Sequence, residues 1–289
     1  MGRRHIAGNY RIVKLGKEHI LPLISLSYSL GWDYDEPEIS TLMETGEVYG
    51  HLTATGRLVS SGAVIKYGKN LSSIGMIMVD PMHRRLGLGK DITKQCLDRA
   101  GGNSCIMLIS TPEGYPLYES LGFRQIGSMY KFVREQHAIK EIHGQDISIF
   151  PLETDGLDDI MVMDMHAFGT SRRDFLHVRL RQATEAWVAL NLGGKVGGYI
   201  MCIDTPANTI IDPLVAEDDR IATNLLEHVI SRNPNCMRID LLSNHIKLSS
   251  VLYKNGFDLV STPPVMTYNE TDLPERNGNL YSVSAQVFG

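Results

Sequence analysis

The stretch Val79-Asp80-Pro81-Met82-His83-Arg84-Arg85-Leu86-Gly87-Leu88-Gly89-Lys90 does most to limit what this chain can become. Before it lies the apolar run Ile74, Met76, Ile77, Met78, Val79; after it Leu88, Ile92, Cys96 and Ala100 recur every fourth residue. The run reads as a buried central strand and the fourfold spacing as one apolar helical face. Gly101-Gly102 end that helix, since glycine enters the left-handed conformation without steric cost. A strand joined to a helix in this way leaves the first helical N–H groups unpaired at the positive end of the helix dipole. A diphosphate is the natural occupant of such a turn.

The glycine spacing narrows the choice of diphosphate. A Walker loop needs Gly-x4-Gly-Lys followed by Ser or Thr, and here Asp91 follows Lys90. A dinucleotide fingerprint needs a third glycine where Ile92 stands. What remains, Arg84-x-x-Gly87-x-Gly89, resembles the coenzyme A pyrophosphate loop of the GNAT acetyltransferase superfamily, although alone it also suits a plain tight turn in a charged loop. A second element agrees. About fifteen residues on, Cys105–Ile109 reads as another buried strand, followed by Pro116-Leu117-Tyr118-Glu119-Ser120-Leu121-Gly122-Phe123. This is similar to the L-Y-x-x-x-G-F sequence of GNAT enzymes, although Gly122 as a helix cap and Phe123 as a core residue explain both positions without chemistry. The resemblance implies that Ile77, Met78 and Val79 meet the pantetheine arm. It also implies that Arg84, Arg85, Leu86, Gly87, Leu88, Gly89 and Lys90 hold the pyrophosphate, and that Tyr118 protonates the departing thiolate.

Length and charge are compatible with this expectation. With 289 residues, two domains are the prior. A net charge of −5 argues against a nucleic-acid partner, which needs a basic face. No apolar run approaches the ~20 residues of a membrane span, and Met1-Gly2-Arg3-Arg4 is not followed by a signal-like apolar core, so a cytoplasmic location is expected. Cys96, Cys105, Cys202 and Cys236 lack paired spacing and read as reduced core residues. The histidines show no ligand spacing, so no metal site is expected.

The order of elements along the first half resembles a GNAT fold. Tyr10–Leu15 reads as a strand, His19–Leu30 and Pro37–Glu44 as helices, and Val48–Thr53 with Leu58–Lys66 as a hairpin across Thr55-Gly56-Arg57. The strand Leu71–Val79, its helix, the Cys105 strand, the Tyr118 helix and a strand from Arg124 to Val133 follow. In that fold the fourth and fifth strands splay, and the pantetheine arm enters the gap. A polar stretch from Arg134 to Asp146 reads as a linker, after which the pattern repeats. Ala186–Leu192 and Val196–Ile203 mirror the hairpin, Thr209–Val215 the glycine-bearing strand and Ile221–Ile230 its helix. Met237–Leu242 mirrors the fifth strand, and Leu252-Tyr253-Lys254-Asn255-Gly256-Phe257 echoes the Leu-Tyr…Gly-Phe element.

The expected fold class is therefore α/β (α+β), with two tandem GNAT folds, each a mixed, mostly antiparallel sheet flanked by helices. Residues 1–136 would form the catalytic domain and residues 137–289 a degenerate second one. The arrangement resembles bacterial tandem-GNAT proteins of the YitH type. Where the first copy has its basic glycine turn, the second has Ala216-Glu217-Asp218-Asp219-Arg220, whose carboxylates repel a diphosphate. The second copy is expected to brace the first or complete its substrate cleft. Its segment Ala167–Asp174 reads either as a ligand-facing piece or as a solvated helix start.

The resemblance implies an acetyl-CoA-dependent N-acetyltransferase in which a primary amine, of a small molecule or a protein, attacks the thioester directly, with Tyr118 as general acid. Many relatives place a glutamate on the fourth or fifth strand, whereas here Ser72, Ser73, Ile106 and Met107 stand there. A water held by Ser73 or main chain, or a carboxylate from Asp33, Asp35 or Glu36, is left as the base. Trp32 and Tyr34, beside Asp33 and Asp35, suit a cationic amine with an apolar body, or anchor an acidic loop. A non-catalytic acyl-CoA sensor is the alternative, and a nucleotide-phosphate enzyme using Gly87 and Gly89 a third reading. A monomer or weak homodimer is expected, since a tandem repeat supplies internally what single-domain relatives recruit as a second subunit.

Overall fold

The computed structural model describes residues 10–102, 105–136, 147–153, 156–268 and 272–288. The first half runs β1 (Tyr10–Lys14), α1 (Ile20–Tyr28), α2 (Glu36–Thr45), β2 (Gly46–Thr53), β3 (Leu58–Tyr67), β4 (Leu71–Val79), α3 (Leu88–Ala100), β5 (Cys105–Ile109), α4 (Tyr115–Ser120) and β6 (Phe123–Arg134). The second half continues with β7 (Ile149–Pro151), α5 (Leu157–Phe168), α6 (Arg173–Gln182), β8 (Glu185–Leu190), β9 (Val196–Asp204), β10 (Thr209–Ala216) and α7 (Asp219–Ile230). It closes with β11 (Met237–Leu242), α8 (Ile246–Lys254), β12 (Asp258–Ser261), β13 (Pro264–Tyr268), β14 (Leu280–Ser282) and α9 (Ala285–Phe288). The fold is mixed α/β, a large, mostly antiparallel sheet flanked by helices.

Sequence periodicity explains most of these elements. Leu88, Ile92, Cys96 and Ala100 are all buried on the inner face of α3, and the last three pack with Val64, Ile74 and Ile106 of the sheet. Fully burying such side chains contributes on the order of 1.5–3 kcal/mol for each large one. The expected strands Leu71–Val79 and Cys105–Ile109 form with those bounds. Arg134 departs from the linker expectation. It ends β6, is buried, and donates from Nη2 to the Asn233 carbonyl at 2.6 Å. Glu135 and Gln136 are exposed, and residues 137–146 of the expected linker lie outside the described residues.

The two halves complete each other's sheets. The strand order is β1-β2-β3-β4-β5-β13-β6-β11-β14-β10-β9-β8-β7, with β12 also on β6. Strand β13 of the second half lies between β5 and the start of β6, with Val265 opposite Ile109 on one side and Gly127 on the other. The end of β6 in turn lies between β11 and β12, with Lys131 opposite Asp240 and Ser261. Backbone groups at a sheet edge must find partners, and here each half supplies the strand that the other's edge requires.

Both halves also contain a pair of parallel strands that part. β4 and β5 pair only from Leu71–Ser73 to Cys105–Met107, and β10 and β11 only from Thr209–Ile211 to Met237–Ile239. In the second half the chain's own β14 enters the fork, with Ser282 opposite both Leu214 and Leu241. In the first half the fork borders a cleft, and α9 packs against β4 beside it. Ser73 Oγ donates to the Val287 carbonyl at 2.8 Å and Tyr67 Oη to the Phe288 carbonyl at 2.7 Å. Only glycine fits at position 75, because a Cβ there would stand 2.5 Å from Val287 Cγ2. Replacing Gly75 by Val should therefore lower stability by about 1–3 kcal/mol through overpacking. Gly127→Ala, where nothing lies within 4 Å of the added carbon, should change it by under about 0.5 kcal/mol. Chemical denaturation of the two variants measures the contrast.

Candidate active site

The turn after β4 is held by one carboxylate. Asp80 accepts from the Met82 N–H at 2.8 Å and from Arg57 Nη2 at 2.6 Å, while its own N–H donates to the Val59 carbonyl at 2.9 Å. Burial raises the Asp80 pKa, but the Met82 N–H, His83 and Arg57 together outweigh it and hold the group charged below the usual range. Arg85 (φ +62°) and Gly87 (φ +82°) then take left-handed conformations, a strain for arginine but free for glycine. The first hydrogen bond of α3 runs from the Asp91 N–H to the Gly87 carbonyl at 3.0 Å. The amides of Leu88, Gly89 and Lys90 thus precede any intrahelical acceptor and face outward from the helix start. Asp91 is tied to buried His51 Nε2 at 3.1 Å, and His51 Nδ1 lies 2.6 Å from Ser60 Oγ, which fixes the helix start against β2 and β3. At Gly89 a Cβ would make only ordinary contacts, 3.4 Å from Leu117 and 3.6 Å from Val79, so alanine fits there too.

A cleft of about 910 Å³ extends from this turn along the fork to the loop after α1 and to β6 and β11. A bulge in β4 shapes its floor. Ser61 pairs with Met78 and Ala63 with Gly75, so two residues, Met76 and Ile77, oppose Gly62 alone, and Met76 has φ +50°. Ile77 and Val79 line the cleft, while the Met78 side chain is fully buried in the core. Arg84 and Gly89 also line it; Arg85, Leu86, Gly87 and Lys90 lie on the exposed outer side of the turn, and Leu88 is buried beneath it. Tyr118 lines the cleft between the turn and the fork, nearly buried, edge-on to Phe123 with centroids 5.9 Å apart. Burial pushes its phenol well above the ordinary tyrosine value, so the hydroxyl keeps its proton throughout the neutral range.

The far end of the cleft is built from both halves. Trp32, Asp33 and Tyr34 line it, the two rings 6.2 Å apart. Asp35 does not: its carboxylate caps α2, accepting the Glu38 N–H at 2.9 Å. Glu36 is exposed and also off the cleft. Glu38, which reasoning from the sequence missed, does line it. It keeps one edge toward the cleft while Oε1 is sealed from solvent with no hydrogen-bond partner among the described residues. Burial pushes its pKa up to about 7, with Arg179 and Arg238 pulling down and Asp35 and Asp212 pushing up. The signal lay in helical spacing. Asp35 at the N-cap sets the phase of α2 and puts Glu38 on the same face as buried Thr41 and Leu42, a carboxylate turned inward. Helix α6 clamps α2 there: Gln182 Nε2 donates to Thr41 Oγ1 at 2.7 Å and to the Pro37 carbonyl at 3.1 Å.

The segment Ala167–Asp174 does not face the cleft. Arg172 is buried against Asp164 at 2.7 Å and over the Phe168 ring at 4.3 Å, and Thr170 donates to the Tyr67 carbonyl at 3.4 Å, so it joins the halves. In the second half the helix start is occupied by its own acids: Asp218 caps α7 through the Ile221 N–H at 2.8 Å, and Asp219 takes Lys247 Nζ at 2.8 Å and Tyr281 Oη at 2.9 Å. Among the described residues no cluster of His, Cys, Asp and Glu is placed to hold a metal, and no helix is long and apolar enough to cross a membrane. Cys96, Cys105 and Cys202 are buried free thiols, and Cys236 is half-buried.

Comparison with known proteins agrees with this geometry. Two models of the acetyltransferase (GNAT) domain match the chain, one over residues 36–135 and the other over residues 160–282. The chain is 31% identical over 280 residues to the uncharacterized N-acetyltransferase YitH of Bacillus subtilis, covering 96% of this chain and 98% of that protein. Its fold is similar to a putative acetyltransferase from Pyrococcus horikoshii, with a TM-score of 0.82 at 17% identity over 97% of this chain and 96% of the other. It is also similar to a tandem GNAT protein from the clavulanic acid biosynthesis pathway, with a TM-score of 0.63 at 12% identity over 91% of this chain and 100% of the other. A parted β4–β5 pair, a free-amide turn at the start of α3, a tyrosine beside the fork and a relative alike over nearly its whole length lead to one assignment: this chain belongs to the GNAT acetyltransferase superfamily, with two such domains in tandem.

Proposed function

We propose that the protein is an acetyl-CoA-dependent N-acetyltransferase acting on a primary amine by direct attack, with its chemistry in the cleft of the first domain. The observation that carries this reading is the continuity of that cleft from the free amides at Leu88–Lys90, past Tyr118, to the inward-facing carboxylate of Glu38. The residues present fit acetyl-CoA. Free first-turn amides beside Arg84, Arg85 and Lys90 suit a diphosphate, and main chain from Ile77 to Val79 along the parted strand suits the amides of a pantetheine arm. Bound there, acetyl-CoA supplies the thioester that acylates the amine.

The chain's own groups supply the proton chemistry. An alkyl amine is largely protonated at neutral pH, so a base must free its lone pair. Glu38, with its pKa lifted to about 7 by burial, is matched to that task and takes the proton at its carboxylate. Tyr118, protonated throughout the neutral range, donates its phenolic proton to the departing thiolate. Main-chain N–H groups at Val79, beside the bulge, polarise the thioester carbonyl. Trp32 and Tyr34 flank the acceptor's apolar part.

Thiol release with acetyl-CoA across a panel of amines tests the reading, with an enzyme that releases thiol only when amine is present as the expected result. Tyr118→Phe should lower kcat by about 10²–10⁴-fold while thermal stabilisation by acetyl-CoA is retained; an unchanged kcat would remove Tyr118 from the mechanism. The pH dependence has a definite sign. Glu38 must be deprotonated to act, so kcat/KM should rise through pH about 7 and level off above it. In Glu38→Gln that limb should disappear along with most of the activity. Retention of the limb would assign the base to another group.

A further inference from the structure

The acceptor end of the cleft carries more than an amine needs. Asp33 and Glu38 line it from the loop after α1 and from α2, and Lys131 from β6 and Arg238 from β11 line it where the two halves pair. An alkyl ammonium would be attracted by the two acids and repelled by the two bases. Lys131 lies opposite Asp240, and Arg238 is two residues from Asp240 on the same strand face. Arg238 commits one edge to that carboxylate, Nη2 to Oδ2 at 2.6 Å, and Asp240 outweighs burial to keep it charged. Lys131 Nζ makes no hydrogen bond or salt bridge among the described residues. Burial, followed by the neighbouring Arg238, pulls its pKa down, while Asp240, Asp33 and Glu38 oppose them. Exposed Ser261 and Thr262, at and just after the end of β12 beside β6, also line the cleft.

We infer that the acceptor is a small amine that also bears an anion, a carboxylate or a phosphate, held by Lys131 and the free edge of Arg238 while its amine lies at Glu38. The inference rests on the acetyltransferase reading above and narrows its substrate class. Such a molecule neutralises both sets of charges at once, and a half-buried cation without a partner gains most from a charge-assisted hydrogen bond. It also gives the strand exchange a role, since the anion-binding pair comes from β6 and β11 and is assembled only when the halves interlock.

Matched pairs of amines test it with the full-length protein: the amino acids against their methyl esters, and phosphoethanolamine against ethanolamine, with rates referred to the unprotonated amine. At least one anionic member should exceed its neutral partner by about tenfold or more in kcat/KM; which pair responds separates carboxylate from phosphate. Lys131→Met should lower kcat/KM for the preferred anionic amine by about tenfold or more relative to its neutral partner, chiefly through KM, while thermal stabilisation by acetyl-CoA is retained. Arg238 is spared because its loss would strand buried Asp240. Thiol release that is equally fast or faster with neutral amines overturns this inference and leaves the acetyltransferase reading standing. So does a Lys131→Met variant that slows both members alike. No thiol release with any amine, together with no stabilisation by acetyl-CoA, overturns both.

Discussion

Two parallel strands that pair for three residues and then part leave backbone groups that something else must satisfy. This constraint appears twice in the chain and is met in two ways. Between β10 and β11 the protein inserts its own β14, so the second fork is closed by covalent design. Between β4 and β5 the fork borders the cleft, with a bulge at Met76 to turn the strand and α9, whose Ala285, Gln286 and Val287 also line the cleft, packed against Gly75. The segment from Leu280 to Phe288 therefore serves both domains, filling one fork and supporting the other.

Charge follows the same division. At the start of α3 the acids are withdrawn: Asp80 faces Arg57 and Asp91 faces His51, leaving Arg84, Arg85 and Lys90 around the free amides. At the start of α7 the acids cap and pair within the second domain, so the helix dipole is already served. The far end of the cleft mixes signs and draws them from both halves. Helix α6 anchors α2 and hence Glu38, and the β6–β11 ladder carries Lys131 beside Arg238. The second domain thus contributes to the far end of the cleft, through Arg238 and through its contacts with the first.

Much of this was legible in the residues. The strand Leu71–Val79, the turn at Gly87 and the helix face Leu88, Ile92, Cys96, Ala100 follow from local spacing, which depends on no other part of the chain. The tandem repeat was legible for the same reason. The exchange of β6 and β13 was not, because an apolar strand such as Pro264–Tyr268 carries no mark of which sheet edge it joins. That is why Arg134 reads as linker yet ends a buried strand, and why Lys131 and Arg238 gave no sign of meeting in one cleft. Glu38 is an intermediate case: its inward phase is set by the Asp35 cap, but in the sequence it is one acid among Asp33, Asp35 and Glu36, and only the packing of α2 turns it inward.

Amide hydrogen exchange with and without acetyl-CoA addresses the central claim most directly, since it reads the backbone groups that the first fork and its turn leave to a ligand. Acetyl-CoA should slow exchange across Ile77–Val79 and Arg84–Lys90, and leave β10, β14 and the start of α7 unchanged. Slowed exchange at Leu214–Asp219 instead, or none at either turn, would contradict the account.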